Sequence, residues 1–271
     1  MTDIARHFRI FAALMRYGLA RELSFRANFV VYVLTELLWL AMLVIFYEVV
    51  FGRTSAVGGW TREQMMVLIG THFVVTRIFQ GLFFESCIEL ADLIRTGRLD
   101  FLLVKPVDPQ FLISVSKVDY SSLVNVLFGL GLVGYGLERM GLRPGPSDVL
   151  CWLLLVGSGV IALYSMMFLL CTTAFWAVRT QFIYEGWFHL TGFGRYPETI
   201  YRSAWLRFTL TYLFPVLAVA NWPARQLLSD DPDKLLEPWQ VLYAVAAAGV
   251  LLAASTLFFR RALRSYRSGG Y

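Results

Sequence analysis

The chain has 271 residues, of which 58% are apolar and only 16% charged, with a mean hydropathy of +0.60. A water-soluble domain is ordinarily about 45–50% apolar and about 25% charged, so the composition excludes a soluble globule and assigns the surplus apolar surface to lipid. The net charge of +5 would elsewhere suggest nucleic acid, but the basic residues stand in short segments between long apolar runs, which excludes a nucleic-acid-binding stripe.

Residues 1–26 are basic throughout and lack the uninterrupted apolar core of a cleavable signal, so none is expected. Ile4, Phe8, Phe11 and Met15 recur at helical spacing, with Arg6, Arg9 and Arg16 roughly opposite. That pattern predicts an amphipathic helix in the membrane interface, arginines toward the headgroups; a soluble cap helix is the alternative.

Six apolar runs follow that approach the roughly 20 residues needed to cross a bilayer. They lie at 29–47, interrupted by Glu36; 65–88, carrying His72, Arg77 and Glu85; 120–137; 149–178, free of charge; 208–228, broken by Pro215, Asn221 and Pro223; and 241–259. The reading is an all-α integral membrane protein of six transmembrane helices. With the N-terminus inside, seventeen basic residues fall on the cytoplasmic side and six outside, which puts both termini in the cytoplasm. The acidic stretch Asp230, Asp231 and Asp233 then lies outside. The longest cytoplasmic pieces, 89–111 and 179–207, are too short to bury a core, so energy conversion would need another chain.

Few motifs of catalysis stand out. Gly129, Gly131 and Gly134 spell a dinucleotide fingerprint, but no strand precedes them. They read as small residues that let helices approach, as do Ser158 with Ala162 and Ala244 with Ala248. There is no phosphate-binding P-loop sequence. His7, His72 and His189 are far apart, and Cys87, Cys151 and Cys171 lack metal-ligand spacing, so no metal site and no enzyme active site is expected.

Charges within spans are costly and ordinarily face the bundle interior or water. His72, Thr76 and Gln80 share a stripe bordered by Arg77, with Glu36 and Glu85 nearer the cytoplasmic side. Two readings stand: a polar translocation surface or gate, and a structural ion pair between Arg77 and Glu36.

The most distinctive pattern is cytoplasmic. In the stretch from Ile94 to Phe111, Gly97 can end the helix that continues the second span. Leu99, Leu102 and Leu103 fall on one face of a new short helix, stopped by Pro106 and Pro109. Such a face needs the bilayer surface or a groove on another protein.

This layout resembles the ABC-2 type of ABC transporter permease, particularly its bacterial "ABC-2 family transporter protein" branch. The stretch Arg95-Thr96-Gly97-Arg98-Leu99-Asp100 through Lys105-Pro106 is similar to that family's R-x-G-x-L-D…P signature. Phe214-Pro215-Val216-Leu217 through Asn221-Trp222-Pro223-Ala224-Arg225-Gln226-Leu227-Leu228 resembles the Pro-interrupted end of its fifth span. The resemblance covers nearly the whole chain in layout and only these two stretches in motif. It implies six helices per subunit, a homo- or heterodimer of permeases in the bacterial cytoplasmic membrane, and nucleotide-binding ATPase subunits on the cytoplasmic face. ATP and Mg²⁺ would bind those partners and not this chain. Export would run between two permeases, lined partly by spans one, two and five. Segment 94–106, with Gly97, Leu99, Asp100, Leu102, Leu103 and Pro106, would receive the ATPase motion. The competing classes are an ion-coupled secondary transporter or channel using Arg77, Glu36 and His72, though no inverted repeat is visible, and a membrane-embedded enzyme, which lacks a clustered acid/base or metal set.

Overall fold

A computed structural model describes residues 3–24, 26–176, 181–228 and 236–266. The described chain is helical, with a single isolated bridge between Val57 and Trp60. Helices α1 (Asp3–Ser24) and α2 (Arg26–Phe51) are followed by α3 (Arg62–Phe79), which runs through a π turn at Gln80–Phe84 into α4 (Glu85–Arg95). Two short helices, α5 (Asp100–Leu103) and α6 (Pro109–Ser114), precede α7 (Tyr120–Met140) and α8 (Pro146–Thr172). Then come α9 (Gln181–Gly192), α10 (Ala204–Phe208), α11 (Ala218–Gln226) and α12 (Pro238–Ser265).

The helices form a bundle with two distinct ends. At the near end the Tyr120 hydroxyl donates to the Met15 carbonyl of α1, and Arg260 of α12 reaches Asp108 at 3.9 Å. The first and last described helices therefore both reach this end of the bundle. At the far end Arg62 pairs with Glu48, and the Gln226 amide donates to Asp148 at 3.1 Å. Five helical stretches are long and apolar enough to cross a membrane: Ala27–Phe51, Arg62–Arg95, Tyr120–Met140, Pro146–Phe175 and Pro238–Ser265. The N-terminal helix is not one of them, and its Arg9 and Arg16 are exposed; the side chains of Ile4, Arg6 and Phe8 lie outside the described residues.

The tightest seam joins α3 to α7. A Cβ on Gly70 would meet the Gly129 carbonyl at 2.8 Å, and one on Gly136 would meet the Glu63 carbonyl at 2.9 Å. Backbone therefore lies on backbone, where dispersion stands in for the hydrophobic effect that lipid does not supply. Of the three glycines singled out in the sequence, Gly129 alone serves this seam; Gly131 and Gly134 face open space. The second member is Gly136, one heptad from Gly129. Below the seam the π turn leaves the Gly81 carbonyl free to accept from Asp119 N–H at 2.8 Å. Asp119 then caps α7 by accepting from the N–H groups of Ser121 and Ser122.

The structure corrects the fifth element. Residues 208–228 are not one helix. The chain bends at Phe214–Leu217 between the π turn Thr209–Leu213, which extends α10, and α11. These two arms make a hairpin that enters and leaves at the far end. Its outgoing arm ends at Gln226 beside Asp148, and a Cβ on Gly159 of α8 would meet Val219 near the tip at 3.1 Å. The traverse from near to far end is made instead by α9 and the turns after it. Phe188 packs on Phe84, Trp187 on Phe79, His72 meets Thr191, and Thr199 donates to the Gly58 carbonyl of the far-end loop. Asn221, read in the sequence as a helix breaker, clamps this traverse to the hairpin. Its amide accepts from Glu198 N–H at 3.0 Å and donates to the Tyr196 and Leu217 carbonyls at 3.1 Å. Arg202 and Arg207 therefore lie at the far end, which narrows the charge asymmetry. The acidic stretch Asp230, Asp231 and Asp233 lies outside the described residues.

Candidate functional site

The near-end segment after α4 is an elbow fixed at its base and open at its tip. Gly97 ends α4 in the left-handed region, φ +68°, where a side chain would be strained. The reversal lets Leu99 N–H donate to the Leu93 carbonyl at 3.1 Å. Glu89 on α4 faces Lys117 at 3.1 Å and Arg98 at 3.9 Å, while Asp92 pairs with Arg95 at 2.8 Å and with Arg98. Exposed pairs of this kind add little to stability; they bridge α4 to the residues on either side of the elbow. The return limb is tied more firmly. Ser86 Oγ donates to the Lys117 carbonyl and accepts from Lys117 N–H, both at 2.9 Å. On α6, the Gln110 amide donates to the Tyr164 hydroxyl of α8 at 3.1 Å, and Ser114 shares that hydroxyl at 2.6 Å.

The side chains on α5 do not face as the sequence suggests. Leu99 is fully buried in the chain's own core, and Leu102 and Leu103 are half-buried against it. They anchor the elbow to its own bundle, so Leu99 offers nothing to a partner. The exposed apolar side chains are Phe101 (72%) and Val104 (81%), flanked by exposed Lys105 and Pro106. Phe101 and Val104 sit at i, i+3, a face legible in the sequence but outranked there by three leucines. Asp100 begins α5 beside Tyr266, and burial together with this carboxylate pushes the Tyr266 phenol up from its ordinary value.

The intramembrane polar candidates divide between two surfaces. Arg77 reaches Glu36 of α2 at 2.7 Å, with its guanidinium 4.8 Å from the Phe73 ring centre. His72 turns the other way, its Nε2–H donating to the Thr191 carbonyl at 3.1 Å. Thr76 spends its hydroxyl on the His72 carbonyl at 2.8 Å. Gln80 opens the π turn, half-buried, and Glu85 is exposed at the start of α4. These groups do not converge on one path. Sequence reasoning missed Asn125 on α7, which is fully buried with neither side-chain polar atom hydrogen-bonded among the described residues. Cys87 and Cys171 are buried free thiols and Cys151 is half-buried. Among the described residues no three His, Cys, Asp or Glu side chains cluster as metal ligands.

Residues 37–270 match the family described as ABC-2 family transporter protein. No curated protein and no solved structure matches the chain.

Proposed function

The chain belongs to the ABC-2 family of transporter proteins, multi-pass membrane permeases that work with ATPase subunits, and from that premise we propose that it exports a substrate across a bacterial cytoplasmic membrane. The near end faces the cytoplasm in this reading, which the excess of basic residues there supports. A nucleotide-binding subunit, carrying ATP and Mg²⁺, receives the elbow 96–106 in a groove. The observation that carries the proposal is the elbow itself: a segment tied to α4 by Leu99 N–H and the Leu93 carbonyl, with a return limb tied to α4 and α8 and a tip that exposes Phe101 and Val104. Gly97 sets the turn, Leu99, Leu102 and Leu103 fix it to the bundle, and Pro106 ends it. A push on the tip is thereby passed to α4 and, through the continuous helix, to α3.

A second permease completes the pathway. The outward face of α2, with Leu34, Leu38, Met42 and Ile45 exposed, supports an intramembrane neighbour or lipid on that side. The Arg77–Glu36 pair is spent on joining α2 to α3, which argues against an ion-coupled mechanism through those groups.

The test is isolation of the tagged permease from its native membrane in mild detergent. The expected result is a stoichiometric ATPase chain in the preparation, with ATP hydrolysis that falls when the permease is removed. Transport by the chain alone, driven by an ion gradient, would overturn the proposal.

A further inference from the structure

A cavity of about 390 Å³ opens at the far end between the hairpin and the start of α12. Glu198, Arg207, Thr211, Tyr212, Trp222 and Gln240 line it. The one acid there is already neutralised, since Glu198 holds Arg225 at 3.1 Å. The Gln240 carbonyl oxygen is also taken, accepting from Glu237 N–H at 2.9 Å in the cap of α12, which leaves its NH₂ as the group available to the cavity. The indole N–H of Trp222 and the hydroxyl of Thr211 are buried with no hydrogen-bond partner among the described residues. Arg207 is exposed and forms no ion pair among the described residues. What the cavity offers is the Gln240 NH₂ and one guanidinium, groups suited to an acceptor-rich anion.

The surroundings indicate where that anion comes from. On the same arm of the hairpin Trp205, Phe208 and Leu213 are exposed, a greasy strip leading from the cavity along the bundle. Tyr212 stacks on Trp239 and meets Tyr243 edge-on, the aromatic cluster expected at headgroup depth. We propose that this cavity binds the phosphate headgroup of a bilayer lipid, with the acyl chains lying along the Trp205–Leu213 strip. Arg207 and the Gln240 NH₂ donate to the phosphate oxygens. The site rests on the membrane reading of the fold and not on coupling to an ATPase, so the two stand or fall separately.

The test is native mass spectrometry of the purified chain in an uncharged detergent, titrated with phosphatidylglycerol, diacylglycerol of the same chains, or inorganic phosphate. Saturable binding of phosphatidylglycerol is expected, weakened about tenfold by Arg207→Gln and several-fold by Gln240→Glu, which keeps the oxygen that caps α12 and removes the NH₂. Diacylglycerol should bind much more weakly than phosphatidylglycerol. Equal phosphatidylglycerol binding by the wild type and both variants would overturn the site, as would equal binding of diacylglycerol. Inorganic phosphate binding as tightly as the lipid would overturn the membrane source and assign the cavity to a free anion.

Discussion

The Arg77 guanidinium lies 2.7 Å from the Glu36 carboxylate, joining α2 to α3 inside an apolar stretch of both. An unpaired charge at mid-span costs roughly 2.5–3.5 kcal/mol on insertion scales, so either partner alone is a liability. Arg77→Ala is expected to lower the folded yield sharply, and adding Glu36→Gln should restore much of it. Size-exclusion recovery of the two variants checks this. Full yield of Arg77→Ala with lost transport would assign the pair to the pathway instead.

The α3–α7 seam makes a sharper prediction because its controls lie on the same helix. Gly129→Val and Gly136→Val place a side chain against carbonyls 2.9–3.0 Å from the added Cβ. Overpacking of this kind costs typically about 1–3 kcal/mol, and thermal unfolding in detergent should shift down accordingly. Gly131→Ala and Gly134→Ala meet no atom within 4 Å and should leave the transition unchanged or slightly raised, since alanine is the better helix former. A loss at Gly131 equal to that at Gly129 would refute the seam.

The hairpin predicts an unexpected labelling pattern. In a background with Cys87, Cys151 and Cys171 replaced, Ser203→Cys should react with an impermeant thiol reagent from outside intact cells. Ser265→Cys, at the near end of α12, should not. If residues 208–228 instead crossed as a single span, position 203 would be silent from outside. Labelling of position 265 from outside would overturn the assignment of the near end to the cytoplasm.

Hydropathy carried the long elements and failed where burial in protein mimics burial in lipid. The helices spanning 26–51, 62–95, 120–140, 146–172 and 238–265 are legible because each holds a membrane-length apolar window with few charges. The stretch 208–228 is apolar for another reason: its tip and outgoing arm are packed against α8 and α3, with Leu217, Ala220 and Trp222 buried. The actual traverse through α9 includes Glu185 and His189 and breaks after 12 residues, so no apolar window marks it. The Arg77–Glu36 pair was legible because two opposite intramembrane charges have few other ways to be neutralised. The elbow was legible as a turn, through Gly97, Pro106 and Pro109, but its facing was not. Three leucines at helical spacing announce an apolar face without saying whether the chain's own core or another protein covers it.

That ambiguity sets the last prediction. Leu99 is buried in the bundle while Phe101 and Val104 protrude, so charge at the two kinds of position should fail differently. Leu99→Asp buries an unpaired carboxylate and should abolish folded yield without revealing anything about docking. Phe101→Asp and Val104→Asp leave the core untouched and should insert and fold as the wild type does. If the tip seats in a groove on the ATPase, as an amphipathic segment does in helix-in-groove recognition, each removes an anchor. Burying one large apolar side chain is worth about 1.5–3 kcal/mol, which corresponds to a loss of affinity of roughly tenfold or more. Co-purification of the ATPase and its stimulation by the permease should fall together in these variants. If the tip only rests on the membrane surface beside α1, both properties survive. Undiminished ATPase recovery with Phe101→Asp at unchanged permease yield would remove the elbow from the coupling path, and with it the principal support for the exporter assignment.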